Sequence, residues 1–145
     1  MPDQSRLQAD LIRDEGVRLA AYQDTRGFWT IGCGHLLGAH PRMTVITMDE
    51  MYALLVADTH TAEIRAQMLL GADTYSSLDE VRQRALVNMA FNLGGHLGEF
   101  HHFLAAIVAR DWKVAGMQMT ASAWWTQVGE RAKRLRTMIE TGEDA

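Results

Sequence analysis

The chain has 145 residues, of which 48% are hydrophobic and 22% are charged, and its formal net charge is −4. This length and composition predict a single soluble domain that can bury a sizeable core. The acidic balance excludes general nucleic-acid binding, which needs a basic face. Because no apolar run reaches about 18 residues, no membrane span is predicted, and the single cysteine excludes an internal disulfide.

The first predicted element is a helix over "SRLQADLIRDEG", residues 5–16. Ser5 and Gln8 have the spacing of a capping box at its start, and Gly16 stands where a helix commonly ends. Glu15 is therefore expected at the carbonyl end of the helix, where the helix dipole disfavours a negative charge. An acid in an unfavourable position is a candidate for a function.

A β-hairpin is predicted next, because two segments rich in strand-forming residues flank a turn. The segments are residues 17–22 and 28–33, and the turn is "DTRG", which starts with Asp24 and ends with Gly27. Thr30 falls on the returning strand. The following stretch, "HLLGAHPRM", is interpreted as irregular.

The rest of the chain has a helical pattern. Thr47 and Glu50 have capping-box spacing at the start of a long helix, and "SLDEVRQRALVNMAFNLGG" predicts a helix buried in the core. The fold class is therefore α+β, mainly α, in a single domain over residues 1–145. It is expected to have a hairpin lobe at about 16–46 and a helical lobe at about 47–145 that includes the N-terminal helix. A ligand cleft is expected between the lobes.

Glu15, Asp24 and Thr30 form the candidate site, since the hairpin can bring them to one wall of the cleft. In glycoside hydrolysis a protonated carboxyl gives its proton to the leaving oxygen, while an ionised carboxylate guides a water or bonds the sugar. A hydroxyl such as that of Thr30 can hold the water. The spacing alone does not distinguish this site from an acidic surface turn.

The segment "DEGVRLAAYQDTRGFWTIGCGHLLG" resembles the catalytic segment of bacteriophage-type lysozymes, in particular the T-even phage endolysins. Glu15, Asp24 and Thr30 match that family's Glu, Asp and Thr in identity and spacing. The resemblance continues in "SLDEVRQRALVNMAFNLG" and "WWTQVGERAKRLRTMIETG", so it covers nearly the whole chain. It implies a lysozyme-like fold in which a long helix joins the two lobes.

The resemblance also implies an activity. The chain would be a muramidase, without cofactor or metal, that hydrolyses the β-1,4 bond between N-acetylmuramic acid and N-acetylglucosamine in peptidoglycan. Glu15 would be the general acid, and Asp24 with Thr30 would position the water. The implied substrate-binding residues are Leu36, Phe91, Asn92, Phe103, Gln118 and Arg131. Departures from the T-even enzyme at three of them (Asn92, Phe103 and Gln118) leave the recognition of sugar and stem peptide open.

Two side-chain pairs are implied near the site. His35 would pair with Asp58 on the long helix as a structural contact, and Arg131 would reach Glu15 across the cleft. Arg131 belongs to the basic run "ERAKRLR", which is either a solvated helix face or a local attraction for an anionic polymer. No metal site is predicted, because the cluster of His96, Glu99, His101 and His102 fits no zinc signature.

Three alternatives to a muramidase remain open. A lytic transglycosylase would use one acid without a water-positioning pair, a wall-binding module would lack the acids, and the basic C-terminal helix could disrupt membranes. The expected partner is a peptidoglycan glycan strand, with no nucleic acid and no stable membrane insertion, and the expected state is a monomer. The N-terminus lacks a signal-peptide pattern. The enzyme is therefore expected to accumulate in the host cytoplasm and to reach the cell wall after a holin opens the membrane.

Overall fold

The computed structural model describes residues 2–40 and 45–145, which are mainly helical with a small antiparallel sheet. The elements in chain order are α1 (Gln4–Glu15), β1 (Arg18–Gln23), β2 (Trp29–Gly32), β3 (His35–Gly38), α2 (Met48–Leu70), α3 (Ala72–Ser77), α4 (Glu80–Leu93), a 3-10 helix (Gly94–Glu99), α5 (His101–Val108), α6 (Trp112–Thr120), α7 (Ala123–Val128) and α8 (Glu130–Thr141). The predicted α+β class is confirmed.

The chain divides into two compact units. The hairpin unit is Gln4–Thr61, and the helical unit is Ala62–Ala145 together with residues 2–3. The boundary falls inside α2, whereas the sequence predicts it near residue 47 and predicts that the first helix belongs to the helical lobe. The difference arises because α1 and the first half of α2 pack on the sheet. Glu15 lies against Gly34 in the turn between β2 and β3, and Met51 lies against Gly32 of β2.

Helix α1 buries one face and ends where the sequence indicates. Leu7 and Leu11 have no exposed surface. The predicted end is confirmed, because Gly16 has a φ of 72° and its N–H donates to the carbonyl of Ile12 at 2.9 Å. The predicted N-terminal cap at Ser5 is wrong, since Ser5 lies inside the first turn of the helix.

The sheet has the strand order β1-β2-β3, and both neighbouring pairs are antiparallel. The hairpin of β1 and β2 confirms the prediction. Strand β3 was not predicted, so the irregular interpretation is wrong for residues 35–38, while residues 41–44 lie outside the described residues. This strand depends on pairing with β2 across the turn at Cys33 and Gly34, and its own composition carries no strand signal.

Helix α2 begins with the predicted capping box. The N–H of Glu50 donates to Thr47 Oγ1 at 3.1 Å, and the N–H of Thr47 donates to Glu50 Oε1 at 3.2 Å. The helix is 23 residues long. Its buried side chains include Met51, Leu55 and Ala62.

In the helical unit, α4 is buried over residues 83–90, which confirms the predicted core helix. The side chain of Asp79 caps its start by accepting from the N–H of Arg82 at 2.9 Å. The Arg82 guanidinium donates to the carbonyls of Ile139 at 2.7 Å and Glu140 at 3.1 Å. These bonds satisfy carbonyls that a helix end leaves without intrahelical partners, and they tie α4 to α8.

A buried polar pair stabilises the same unit. The hydroxyl of Tyr75 donates to Glu63 Oε1 at 3.1 Å, and both residues are buried. Burial and the neighbouring Glu63 carboxylate raise the pKa of Tyr75 far above its usual range. In the described part of the chain, the helices lack the combination of length and apolar character that a membrane crossing requires.

Candidate active site

Glu15 is the last residue of α1, and its carboxylate lies against the turn between β2 and β3. A Cβ atom at Gly34 would lie 3.0 Å from Glu15 Oε2, which is closer than side chains normally pack. Gly34 also has a φ of 68°, a conformation that favours glycine. Glycine at this position therefore lets the half-buried carboxylate approach the backbone of the sheet.

Asp24 is held by the turn that joins β1 to β2. Its Oδ1 atom accepts from the N–H of Arg26 at 2.8 Å and from the N–H of Phe28 at 2.9 Å. The N–H of Asp24 donates to the carbonyl of Phe28 at 2.8 Å, and the N–H of Gly27 donates to the carbonyl of Asp24 at 3.0 Å. These bonds restrict both the backbone and the carboxylate of Asp24.

Three residues form a row across the sheet. Thr30 of β2 is paired with Tyr22 of β1 on one side and with Leu36 of β3 on the other. Directly opposed residues project to the same face of a sheet, with Cβ atoms about 4.5–5.5 Å apart. Thr30 is buried and Leu36 is 57% exposed. The row therefore places the proposed water-holding hydroxyl beside an exposed apolar side chain.

The phenol of Tyr22 is an electrostatic neighbour of both candidate carboxylates. Burial raises the pKa of Tyr22, the Arg18 cation lowers it, and the charges of Glu15 and Asp24 raise it further. The Arg18 Cζ atom lies 4.4 Å from the centroid of the Tyr22 ring, which is a cation–π contact. The hairpin unit therefore brings Glu15 and Asp24 to a shared neighbour.

The sequence alone predicts no role for Tyr22 or Arg18. The signal that indicates Tyr22 is its position near the end of β1, two residues before Asp24. The hydroxyl of Thr30 lies 3.5 Å from the carbonyl of Phe28, at the limit of a hydrogen bond.

His35 and Asp58 form the contact that the resemblance implies. His35 Nδ1 and Asp58 Oδ2 are 2.7 Å apart, and the two side chains are 26% and 29% exposed. The contact links β3 to α2 within the hairpin unit. The structural role of this pair stays a prediction.

The other predicted substrate-binding residues lie in the helical unit. Asn92 Oδ1 accepts from Trp124 Nε1 at 2.6 Å, so this oxygen is used by the fold. Phe103 is 1% exposed and packs in the core, where its ring offers almost no surface to a ligand. Phe91 and Gln118 are half-buried. An open cavity of about 250 Å³ beside α5 is lined by residues that include Gln118, Phe103, His101, His102 and Ser122.

The cations of "ERAKRLR" have partners within the helical unit. Arg131 is buried, and its Nε donates to Asn88 Oδ1 at 2.9 Å. Lys133 pairs with Glu130 at 2.7 Å. Arg136 pairs with Glu140, also at 2.7 Å. These contacts favour the interpretation as a partnered helix face over that of a free basic patch. The predicted pairing of Arg131 with Glu15 stays a prediction.

A comparison with protein families gives the class of protein. The family model described as phage lysozyme matches residues 13–140, which is most of the chain. With the α+β fold, this match defines an enzyme of the lysozyme class, a glycoside hydrolase. The chain belongs to the phage lysozyme family.

The curated relatives include proteins named as a T4-type lysozyme and as an endolysin. The chain is 33% identical over 91% of its length to the pre-baseplate central spike protein of Enterobacteria phage T4, but it spans only 27% of that protein. It is 32% identical to the probable T4-type lysozyme 1 of Dictyostelium discoideum, with 92% of this chain and 93% of the relative covered. It is 29% identical to the endolysin of Salmonella phage P22, with 83% and 80% covered.

Proposed function

We propose that the chain is a muramidase that hydrolyses the β-1,4 bond between N-acetylmuramic acid and N-acetylglucosamine in peptidoglycan. The family supports lysozyme-like hydrolysis of the cell wall. The single observation that supports the roles of these residues is that Glu15, Asp24 and Thr30 are all neighbours of Tyr22. Its phenol interacts with the charges of Glu15 and Asp24, and its strand partner is Thr30.

In the proposed mechanism Glu15 is the general acid. It donates the proton of its carboxyl to the oxygen of the leaving sugar. Asp24 is the base that accepts a proton from the attacking water, and the two N–H groups on its Oδ1 keep the carboxylate oriented. Thr30 holds the same water through its hydroxyl. General acid–base catalysis of this kind contributes about 10²–10⁴-fold to a rate.

The proposed reaction inverts the anomeric centre. A water between the base and the sugar requires the two carboxyl groups to stand about 6.5–9.5 Å apart. The first product is then the α-anomer, which NMR of fresh digests can detect. Release of the β-anomer would instead make Asp24 a nucleophile.

Leu36 is the proposed glycan contact with the most support, because it is exposed and shares a row with Thr30. The amide of Asn92, the side chains of Phe91 and Gln118, and Arg131 are further proposed contacts. Phe103 is not proposed as a glycan contact, since its ring is buried in the core.

The direct test is loss of turbidity of outer-membrane-permeabilised cells. Glu15→Gln keeps the size of the side chain and removes its proton-donating carboxyl, so we expect hydrolysis to be abolished. Glu143→Gln is the matched control, because Glu143 is an exposed acid near the C-terminus. A Glu15→Gln enzyme with substantial activity would contradict the assignment.

A second pair of variants tests the water-holding role. Thr30→Ala removes the proposed hydroxyl, and Thr25→Ala removes an exposed hydroxyl from the neighbouring turn. We expect only Thr30→Ala to slow hydrolysis. Equal rates for the two variants would contradict the role of Thr30.

The released fragments separate the proposal from its alternatives. A muramidase leaves reducing muramic acid ends, whereas a lytic transglycosylase leaves 1,6-anhydro ends that mass spectrometry distinguishes. Dye leakage from lipid vesicles by the Glu15→Gln protein would reveal membrane disruption. The partners of the cationic run weigh against this second activity.

The proposed setting is lysis of the host cell. The enzyme would act as a monomer on glycan strands after accumulating in the cytoplasm, and a holin would give it access to the wall. Expression in a bacterial host should then be harmless until the membrane is opened by an added agent. Prompt lysis on expression alone would contradict the dependence on a holin.

A further inference from the structure

The hydroxyl of Tyr22 is an unused hydrogen-bonding group beside the proposed catalytic residues. Within residues 2–40 and 45–145, the fold supplies no hydrogen-bond partner to this hydroxyl, although the side chain is half-buried. The ring is held by the guanidinium of Arg18, whose Cζ lies 4.4 Å from the ring centroid. The hydroxyl is not one of the buried polar atoms that lack a partner in the described residues, so it reaches solvent and is available to a ligand.

The position of Tyr22 ties this hydroxyl to the reaction. Tyr22 is directly opposite Thr30 in the pairing of β1 with β2, and Asp24 follows two residues later. Opposed residues project to the same face of a sheet, and Asp24 opens the turn directly after β1 ends. The phenol also interacts with the charge of Glu15, which lies against the turn at Gly34. A ligand that reaches the two carboxylates therefore passes close to the hydroxyl.

The charge state of Tyr22 limits which ligand atom it can bind. Burial and the two carboxylates raise its pKa above the usual range, with Arg18 opposing them, so the phenol is neutral wherever a lysozyme works. It can therefore donate a hydrogen bond. An anionic acceptor would be repelled by the Asp24 carboxylate, whereas a sugar hydroxyl or an acetamido carbonyl would not.

We propose that Tyr22 is a further substrate-binding residue, whose hydroxyl donates a hydrogen bond to a neutral oxygen of the sugar at the bond that is cleaved. This inference rests on the proposed function of Glu15 and Asp24. It adds a group that the family match does not assign, and it explains why the fold leaves this hydroxyl free. Arg18 is the positioning residue that holds the ring.

The test is Tyr22→Phe, which removes only the hydroxyl and keeps the ring and its contact with Arg18. We expect kcat/KM on purified peptidoglycan to fall about tenfold, with an unchanged melting temperature. One hydrogen bond worth about 1.4 kcal/mol corresponds to this factor. Because the phenol is neutral, the loss should be the same at every pH across the activity profile. Tyr52→Phe is the matched control, since Tyr52 is 42% exposed on α2, and it should leave kcat/KM unchanged.

An unchanged kcat/KM for Tyr22→Phe overturns the inference, as does a loss fully explained by unfolding at the assay temperature. Glu15→Gln in the same assay separates this failure from failure of the proposed function. If Glu15→Gln remained active, the proposed roles would fail, and binding of a soluble glycan fragment would then decide the role of Tyr22. Calorimetry should show about tenfold weaker binding by Tyr22→Phe, and an unchanged affinity overturns the inference.

Discussion

Each of the two units contains a tyrosine near a carboxylate. In the part of the chain that the structure describes, the hydroxyl of this tyrosine is hydrogen-bonded within the fold in the helical unit but not in the hairpin unit. Tyr75 in the helical unit is buried, and its hydroxyl donates to the buried Glu63. Tyr22 in the hairpin unit is half-buried, lies near two carboxylates, and has no hydrogen-bond partner among the described residues. Burial and negative charge raise the pKa of both phenols, but only Tyr75 is bonded within the fold.

The difference shows which polar side chains each unit binds within its own fold. The helical unit satisfies them internally, as Arg82 does with two carbonyls of α8 and as Arg131 does with Asn88. Such bonds stabilise the fold because a buried donor or acceptor without a hydrogen-bond partner lowers the free energy of unfolding. The sheet instead places a hydroxyl that reaches solvent beside two carboxylates. Titratable groups clustered in this way are typical of binding sites.

The largest effect that sharpens this comparison is expected for Asp24→Asn. The amide oxygen can still accept from the N–H groups of Arg26 and Phe28, so the turn should survive and the melting temperature should hardly change. The charge needed by the proposed base is lost, so turnover should fall about 10²–10⁴-fold. Asp49→Asn is the control, because Asp49 is an exposed acid at the start of α2. Normal turnover by Asp24→Asn would place Asp24 among the structural residues.

A second variant, Gly34→Ala, tests how closely the sheet holds Glu15. The φ of 68° makes a side chain at this position cost about 1–3 kcal/mol. The new Cβ would also lie 3.0 Å from Glu15 Oε2 and displace the carboxylate. We therefore expect a loss of stability in denaturation and, in addition, slower hydrolysis per folded molecule.

Gly38→Ala is the matched control for Gly34→Ala. Gly38 has a φ of 95°, and a Cβ there would meet nothing within 4 Å. It should cost similar stability without slowing hydrolysis. Equal activity of the two folded variants would show that Gly34 does not set the position of Glu15.

Tyr75→Phe tests the other side of the comparison. Removing the hydroxyl leaves the buried Glu63 carboxylate without this donor, so the free energy of unfolding should fall by about 1–3 kcal/mol. Hydrolysis per folded molecule should not change. Chemical denaturation and initial rates below the melting temperature measure the two effects. A variant that kept its stability but lost activity would reverse the roles given to Tyr75 and Tyr22.

The same tyrosine predicts how stability depends on alkaline pH. The pKa of Tyr75 is raised in the folded state, whereas a tyrosine in the unfolded chain titrates near about 10. Below pH of about 10 both states keep the proton, and the contribution of Tyr75 is complete. As the pH rises further only the unfolded chain releases it, so the free energy of unfolding falls by about 1.4 kcal/mol per pH unit. Above a pH of about 10, the free energy of unfolding of Tyr75→Phe, measured by denaturation, should depend less on pH than that of the unsubstituted protein.

Much of the local structure could be predicted because it depends on residues close together in the chain. The capping box of Thr47 and Glu50 and the turn that begins at Asp24 each form within a few residues. The cap expected at Ser5 failed for the same kind of reason, since capping-box spacing is common and the helix starts one residue earlier. Strand β3 could not be predicted, because its extended form comes from pairing with β2.

The sequence by itself determined the fold class, the family and the residue types offered for chemistry, since these follow from periodicity, capping signals and a motif of fixed spacing. Only the tertiary structure decided what each side chain is free to do. It buried the ring of Phe103, used the oxygen of Asn92 to bind Trp124, and left the hydroxyl of Tyr22 without a partner in the described chain. The physical reason is that burial and hydrogen-bond satisfaction depend on atoms brought together from distant parts of the chain, whereas sequence patterns report neighbours along it.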